Sequence, residues 1–102
     1  MSDGVVVTVN WLVKAKCLDE TIAMLRMFFI ETQRRVGFRK IQLLRNSTEE
    51  NSIILLEEWD TVEDFQSYIK FRTESGDLSN LMQMADTSPQ INIWNKHPLA
   101  QA

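Results

Sequence analysis

The spacing of hydrophobic residues changes several times along the chain, and each change marks the border of a predicted element. Apolar and β-branched residues at strand-like spacing predict four strands, at residues 5–13, 38–45, 53–59 and 90–94. Helical spacing predicts two long helices, at residues 18–35 and 61–72, and a shorter one at residues 77–85. The order strand, helix, strand, strand, helix, short helix, strand is typical of the split βαβ pattern of ferredoxin-like folds.

Capping residues mark where the helices begin and end. Asp60 or Thr61 can accept a hydrogen bond from the first free N–H groups of the second long helix, and Glu63 or Asp64 stands three residues later, at capping-box spacing. Gly37 is placed to end the first helix in a left-handed turn. The third strand therefore turns at once into a helix, and the other elements can be arranged around that junction.

The first strand is mostly apolar on both of its faces. Alternate residues of a strand point to opposite sides of the sheet. The two sets are Val5, Val7, Val9 and Trp11 on one face, and Val6, Thr8, Asn10 and Leu12 on the other. A strand of this kind is covered on both faces, whereas two helices can cover only one face of a small sheet. The pattern predicts an α+β, ferredoxin-like fold: a four-stranded antiparallel sheet with helices on one face, whose open face pairs with a second copy.

The composition is that of one ordinary globular domain. A length of 102 residues suits a single domain, with a core at residues 5–94 and a short tail at residues 97–102. The net charge is −3 and no basic face is evident, so no nucleic-acid partner is expected. The single cysteine rules out an internal disulfide, and the first apolar run is too short for a signal peptide or a membrane span. We therefore expect a cytoplasmic protein with no membrane partner.

The third strand ends in Glu58 and Trp59, and a small polar turn, an acidic residue and Phe65 follow. With the order and lengths of the elements, this segment resembles the antibiotic biosynthesis monooxygenase family of dimeric α+β barrels, and the resemblance spans residues 5–94. It implies a homodimer whose two sheets face each other as a barrel, with a pocket between sheet and helices in each subunit. Members include cofactor-independent oxygenases of quinols and aromatic polyketides, and haem-degrading oxygenases; many others have no known activity.

The resemblance can be tested residue by residue against the haem-degrading members. Their asparagine on the first strand matches Asn10, but Tyr68 stands where they carry a tryptophan. Their iron is held by a histidine, and residues 77–84 contain none; the one histidine of the chain, His97, follows the last strand. Haem binding is therefore the least favoured of the interpretations that the resemblance allows, and no cofactor is expected.

The polyketide quinol oxygenases give a partial match. Their tryptophan matches Trp59, whereas Phe65 replaces a tyrosine proposed to engage the substrate phenol and Leu55 replaces an asparagine. Quinol-oxidising relatives often carry a histidine at the position of Tyr68. The chain keeps the apolar scaffold of these relatives and lacks several of their polar groups.

Two groups of residues form the candidate site. Asn10 and Tyr68 are the catalytic candidates, because each could hydrogen bond to a substrate oxygen. The predicted walls of an aromatic pocket are Trp59, Phe65, Phe29 and Leu25. Each candidate has a simpler structural interpretation: Asn10 bonded to nearby backbone, Trp59 as a core residue, and Tyr68 as a packing residue with its hydroxyl near water.

Glu57 and Glu58 are adjacent on the third strand, so their side chains point to opposite faces and do not form an acid–base pair. One is expected to face solvent or the dimer contact. The other is a candidate for a buried base with a raised pKa. The sequence leaves open which of the two is buried.

The resulting hypothesis is a homodimeric, cofactor-independent monooxygenase-like protein that acts on a hydrophobic aromatic or quinol-type small molecule. The alternative is a non-catalytic module of the same fold that binds a small molecule or serves dimerisation. Phe65 and Leu55 favour the alternative, because relatives carry polar groups there. The residues alone leave open whether the protein is an enzyme.

Overall fold

Four strands pair into one antiparallel sheet in the computed structural model, which describes residues 3–97. The strands are β1 (Val5–Leu12), β2 (Phe38–Arg45), β3 (Ser52–Trp59) and β4 (Gln90–Asn95). The helices are α1 (Leu18–Thr32), α2 (Val62–Glu74) and α3 (Asp77–Gln83), and a single 3-10 turn at Ala15–Cys17 precedes α1. The strand order β2-β3-β1-β4 and the element order confirm the predicted α+β, ferredoxin-like fold.

The two central strands show strict alternation of buried and partly exposed residues. In β1 the buried residues are Val5, Val7, Val9 and Trp11, which the sequence placed together on one face. In β3 the buried set is Ile53, Leu55, Glu57 and Trp59. β1 and β3 pair so that Val9 lies opposite Leu55 and Val7 lies opposite Glu57. The buried sets of both strands therefore form one surface that packs under the helices.

Helix α1 ends at Thr32, three residues earlier than the sequence pattern predicts. Thr32 is the last buried residue before the turn, and Val36 is exposed, so the residues beyond Thr32 have no apolar face that continued helix would bury. Gly37 adopts a positive φ of 81° directly before β2. This left-handed conformation is accessible to glycine because it lacks a Cβ. Gly37 lies in the turn before β2 and does not end α1 as predicted, because the C-cap of α1 is Gln33 in a right-handed conformation.

Thr61 is the N-cap of α2. Its backbone is extended, and its hydroxyl oxygen accepts a 3.1 Å hydrogen bond from the N–H of Asp64. Glu63 and Asp64 lie in the first turn and Arg72 in the last, which suits the helix dipole. Of the two predicted caps, the structure therefore uses Thr61, and α2 leaves the end of β3 at the predicted junction.

The face of the sheet away from the helices carries the even-numbered residues of β1 and β3. Its apolar members on the three strands other than β4 are Val6, Leu12, Leu44, Ile54 and Leu56. Trp94 of β4 pairs with Val6 across the strands and is 54% exposed. Its indole N–H donates a 2.9 Å hydrogen bond to the hydroxyl of Thr8. The described chain thus presents an open, partly apolar sheet face.

The predicted tail lies mostly outside the residues that the structure describes. His97 is exposed after β4, and residues 98–102 are not described. Within residues 3–97, no helix has both the length and the apolar character needed to cross a membrane.

Candidate functional site

A cavity of about 200 Å³ lies between the sheet and the three helices. All four strands and all three helices contribute to its wall. The apolar and small lining residues are Val9, Trp11, Leu25, Phe28, Phe29, Ile41, Leu55, Ile69, Leu78, Leu81, Met82, Ser88, Pro89 and Ile91. The other three lining residues are Glu57, Tyr68 and Arg72. The cavity is therefore an apolar space with one carboxyl, one phenol and one guanidinium in its wall.

Glu57 is the one acidic residue in the cavity wall, and it is 2% exposed. Its position in β3 puts it on the helix-facing side, between Val7 of β1 and Ile41 of β2. The indole Nε1 of Trp59 donates a 2.9 Å hydrogen bond to its Oε1. Burial raises the pKa of Glu57 to about 7, although the Trp59 hydrogen bond and the charge of Arg72 both act to lower it. The carboxyl can therefore gain or lose a proton near neutral pH.

Trp59 is held by aromatic rings on three sides, which fixes the donor that Glu57 uses. It is completely buried, and its ring centroid lies 5.7 Å from that of Phe38, 6.1 Å from Phe65 and 5.0 Å from Tyr68. Offset and edge contacts at such distances stabilise aromatic pairs. The indole N–H is consequently directed at the Glu57 carboxyl by a rigid surrounding.

Arg72 is a buried cation whose hydrogen bonds join all three helices. Its side chain is 2% exposed, and its Nη1 donates to Asp77 of α3 at 2.8 Å and to Glu31 of α1 at 3.4 Å. Its Nη2 donates to the carbonyl oxygen of Phe28 at 3.0 Å, and its guanidinium also lies 4.2 Å from the centre of the Phe28 ring. A buried charge is tolerated when it is paired and hydrogen bonded in this way.

The hydroxyl of Tyr68 belongs to the same network, and its proton direction follows from the partners. Thr32 donates its one hydroxyl proton to the carbonyl oxygen of Phe28 at 2.7 Å. The 2.9 Å contact between Thr32 and Tyr68 must then use the Tyr68 proton, while Arg72 Nε donates to the Tyr68 oxygen at 3.0 Å. Burial, the largest influence, raises the pKa of Tyr68. Tyr68 thus stays protonated, and its proton is committed to Thr32.

Trp11 adds an unpaired donor to the wall. The residue is buried and lines the cavity, and its indole Nε1 has no hydrogen-bond partner among residues 3–97. Buried polar groups are usually paired, so this N–H is an exception.

Solved structures of the same architecture are numerous, although neither a family model nor a curated protein matches the sequence. A conserved protein from Methanosarcina mazei Go1 superposes with a TM-score of 0.85 at 19% identity, covering 92% of this chain and 93% of that one. A variant of SnoaB, a cofactor-independent oxygenase from Streptomyces nogalater, superposes with a TM-score of 0.82 at 16% identity, and the match covers 98% of this chain and 100% of that one. A protein from Nitrosomonas europaea, provisionally named an antibiotic biosynthesis monooxygenase, superposes with a TM-score of 0.79 at 15% identity, and the match covers 96% of this chain and 94% of that one.

The chain shares its fold with structures that are named antibiotic biosynthesis monooxygenases. At these identities the likeness establishes the architecture, which bears out the fold that the resemblance implied. In this chain the fold encloses the described cavity between sheet and helices. Within residues 3–97, no group of three or more histidine, cysteine, aspartate or glutamate side chains is arranged to hold a metal ion.

Within this fold, the predicted site residues fall into three places. Tyr68, Phe29 and Leu25 line the cavity. Trp59 and Phe65 are buried in the core and do not line the cavity. Trp59 packs against Tyr68, which does line it. Asn10 pairs with Ile54 and Gln90 on the open face, whereas its neighbours Val9 and Trp11 line the cavity.

The position of Asn10 corrects the expectation that it shares a pocket with Tyr68. The strand is apolar on both faces, so its sequence does not show which face meets the helices. Asn10 belongs to the set that is partly exposed, and the sheet separates it from the cavity. A hydrogen bond from Asn10 to a molecule in the cavity of the same subunit is therefore not part of the site.

The sequence analysis did not identify Arg72 as a site residue, and it left open whether Glu57 or Glu58 is the buried carboxyl. Glu57 shares its strand face with Leu55 and Trp59, and that parity could have chosen it over Glu58 as the buried carboxyl. Arg72 stands four residues after Tyr68, which puts both on one side of α2. An arginine at a core position is rare unless it is paired, and its partners come from three separate helices.

Proposed function

We propose that the protein binds a hydrophobic aromatic phenol or quinol in the cavity beneath the helices and catalyses its cofactor-independent monooxygenation. The observation that carries the proposal is the apolar cavity with a single titratable carboxyl, Glu57, in its wall. Concave, mostly apolar sites with few polar groups are typical of small-molecule binding. The likeness of the fold to SnoaB, a cofactor-independent oxygenase, supports the choice of reaction.

The cavity size limits the ligand. A dry cavity of about 150 Å³ binds benzene in another protein, and the cavity here is about 200 Å³. A molecule of about two aromatic rings fits inside, and a third ring can extend towards solvent because the cavity is open on one side. Leu25 and Phe29 of α1 would contact one face of the ring system, opposite Val9 and Leu55 of the sheet.

The reaction needs no electron source other than the substrate. Loss of a proton from a phenol or an anthrone-type enol gives an electron-rich anion, which transfers one electron to O₂. Recombination forms a carbon–oxygen bond to the resulting superoxide, and loss of water from the peroxide leaves a carbonyl. For a CH₂ group, both C–H bonds are broken and supply four electrons, one oxygen atom enters the product and the other leaves as water. The protein contributes orientation and an apolar surrounding.

Tyr68 and the residues behind it would shape this site. The Tyr68 ring forms part of the wall, while its hydroxyl proton is used by Thr32. Trp59 packs against the ring of Tyr68 and donates a hydrogen bond to the carboxyl of Glu57, and Phe65 packs against Trp59. We therefore assign Tyr68 to positioning, and assign Leu25 and Phe29 to direct contact with the substrate.

The functional unit in this proposal is a homodimer. The open sheet face carries apolar side chains on every strand, including Leu44, Ile54, Leu56 and Trp94. An apolar sheet face that no helix covers is stabilised by a second sheet at a spacing of about 10 Å. A second copy of the chain supplies a matching face, which supports the barrel arrangement implied by the family resemblance.

Oxygen uptake tests the proposed activity. The wild-type protein is supplied with anthrone and with 1,4-naphthalenediol, and the rate without protein is subtracted. Phe29→Trp enlarges a cavity-wall residue, whereas Met27→Trp introduces the same ring at an exposed position of the same helix. We expect equal uptake with wild type and Met27→Trp, and reduced uptake with Phe29→Trp because its larger ring narrows the cavity. Absence of uptake with both substrates would contradict the proposed reaction.

A non-catalytic binding module is the second candidate. The commitment of the Tyr68 proton to Thr32, and the apolar residues Phe65 and Leu55, favour it. Saturable binding of 1,4-naphthalenediol without any oxygen uptake would support this second function over the first.

A further inference from the structure

We infer that Glu57 is the general base of the site: its carboxylate accepts the hydroxyl proton of the bound substrate. This inference rests on the proposed function, because it names the group that starts the proposed reaction. Glu57 lines the cavity, and it is the one carboxyl that does so among the described residues. It is carried by strand β3 at the buried centre of the sheet, where its backbone is fixed on both sides by β1 and β2.

One of the two carboxyl oxygens of Glu57 is open to a ligand. Oε1 accepts the hydrogen bond from Trp59 Nε1, and the described residues provide the carboxyl with no other hydrogen bond. Oε2 therefore retains its acceptor capacity, and an ionised carboxyl has several lone pairs to satisfy. A substrate hydroxyl in the cavity is a suitable donor, because a hydrogen bond to a carboxylate is roughly twice as strong as a neutral one.

The charged groups around Glu57 keep it ionisable in spite of its burial. Arg72 of α2 is the cation that acts on it, and Tyr68 of the same helix is the nearby titratable phenol. Glu31 of α1 and Asp77 of α3 are linked to Glu57 only indirectly, because both form ion pairs with Arg72. From β3 itself, Trp59 donates a hydrogen bond, and the cross-strand neighbours of Glu57 in β1 and β2 are apolar.

The balance of these groups suits a base at neutral pH. The pKa of Glu57 is raised to about 7 by burial, against the lowering influence of Trp59 and Arg72. General bases work best when their pKa lies near the working pH. Tyr68 is not an alternative, because burial raises its pKa and Thr32 uses its proton.

The proton transfer conserves charge inside the cavity. The substrate O–H bond breaks, its electron pair stays on the substrate oxygen, and the proton forms an O–H bond to a Glu57 oxygen. The negative charge moves from the carboxylate to the substrate, so Arg72 keeps an anion nearby throughout. When the peroxide loses water, the proton held by Glu57 leaves with the departing hydroxide and the carboxylate is restored.

A purely structural role for Glu57 makes a different prediction. If the carboxyl served only to accept the hydrogen bond from Trp59, the amide oxygen of Glu57→Gln would replace it and function would persist. The matched control is Glu58→Gln, which changes the adjacent carboxyl on the opposite face, where it pairs with Lys96 at 2.7 Å. At pH 8, above the Glu57 pKa of about 7, both variants remove one negative charge, so only the position differs.

Two measurements, one of rate and one of affinity, test the inference. Oxygen uptake with 1,4-naphthalenediol, which carries the hydroxyl that the inference requires, is measured from pH 5.5 to 8.5. We expect the wild-type and Glu58→Gln rates to rise with pH through an inflection near 7, and the Glu57→Gln rate at pH 8 to be about 100-fold lower and without that inflection. An unchanged rate and pH profile in Glu57→Gln would overturn the inference and leave the proposed oxygenation standing.

The affinity measurement is independent of turnover. The dissociation constants of 2-naphthol and of naphthalene, which lacks the hydroxyl, are compared at pH 6 and pH 8. We expect the preference for 2-naphthol to increase several-fold at pH 8 in wild type and to stay constant in Glu57→Gln, because only a carboxylate strengthens the bond from the hydroxyl. Equal pH behaviour of the two ligands in wild type, or failure of 2-naphthol to bind, overturns the inference. If no oxygen is consumed but this preference appears, the proposed reaction fails and proton acceptance by Glu57 is supported.

Discussion

The indole N–H of Trp59 donates a 2.9 Å hydrogen bond to the carboxyl of Glu57, two residues earlier on the same strand and on the same face. The two side chains meet because alternate residues of a strand point to the same side. Trp59 is fixed by three aromatic rings, so its donor has one direction. The result is a carboxyl held at the edge of an apolar cavity, with one oxygen occupied and the other available.

The raised pKa of Glu57 predicts a loss of stability with rising pH. The unfolded chain keeps the ordinary glutamate pKa of 4.5, whereas the folded protein has a pKa of about 7 at this residue. Between these values the folded protein holds the proton and the unfolded chain does not, so the free energy of unfolding falls as pH rises and levels off above 7. The decrease amounts to about 3 kcal/mol. Urea denaturation at pH 5 and pH 8 measures it.

The amide of Glu57→Gln does not titrate, so its stability should be nearly the same at both pH values. At pH 8 this variant should exceed wild type in the free energy of unfolding. Glu58→Gln should keep the wild-type decrease, because Glu58 is on the open face and its pKa is lowered, first by the hydrogen bond from Lys96. A wild-type stability that does not fall between pH 5 and pH 8 would contradict this assignment.

Removal of the Tyr68 hydroxyl should cost more stability than its size suggests. In Tyr68→Phe, Arg72 Nε loses its acceptor and the Thr32 oxygen loses one of its two donors, keeping only the 3.3 Å hydrogen bond from Arg72 Nη2; both groups are buried. Unpaired buried groups of this kind cost about 1–3 kcal/mol. Thr73→Ala removes a hydroxyl that bonds to the Ile69 carbonyl in an exposed position and should change stability by less than about 0.5 kcal/mol. Equal losses in the two variants would show that the Tyr68 hydrogen bonds carry no special weight.

Arg72 should influence the fold and the acidity of Glu57 together. Arg72→Met keeps a long side chain but leaves Asp77 without its buried partner, which should reduce the free energy of unfolding by about 3–5 kcal/mol. It also removes the positive charge that lowers the pKa of Glu57, so that pKa should rise further. Carbon-13 NMR of the labelled Glu57 carboxyl follows its titration directly.

Arg26→Met is the matched control, because Arg26 is exposed on α1. It should leave both stability and the Glu57 titration unchanged. A Glu57 pKa that is the same in Arg72→Met and in wild type would separate Arg72 from the site and reduce its role to joining the helices.

Self-association can be tested through the open sheet face. We expect the wild type to sediment at twice the chain mass of 11.9 kDa. Leu56→Glu places a charge at the centre of that face and should shift the protein to the single-chain mass, since burial of an unpaired charge is costly. Met27→Glu adds the same charge at an exposed position of α1 and should remain dimeric. A wild type that sediments as a single chain at micromolar concentration would contradict the dimer.

The fold could be predicted because several independent signals agree. The cap at Thr61 and the alternation in β1 mark a border and a face that the structure reproduces. These are local effects, in which a residue acts on its own backbone or on neighbours within a turn. The end of α1 was missed by three residues, because its border depends on the burial of Thr32 by the rest of the fold.

The site was harder to predict, since it depends on contacts between distant segments. Asn10 and Trp11 are adjacent in a strand that is mostly apolar on both faces, so only the packing of the helices shows that Trp11 faces the cavity. Arg72 gains its role from Glu31 and Asp77, which lie on other helices. The sequence limited the buried acid to Glu57 or Glu58, and the register of β3 decides between them.

The central claim is that the cavity beneath the helices holds a hydroxylated aromatic molecule. Calorimetric titration with 2-naphthol, using wild type, Phe29→Trp and Met27→Trp, tests it most directly. The account predicts saturable binding of one ligand per chain to wild type and Met27→Trp, and weaker binding to Phe29→Trp, whose larger ring narrows the cavity. Binding that is absent in wild type, or equally strong in Phe29→Trp, would contradict it.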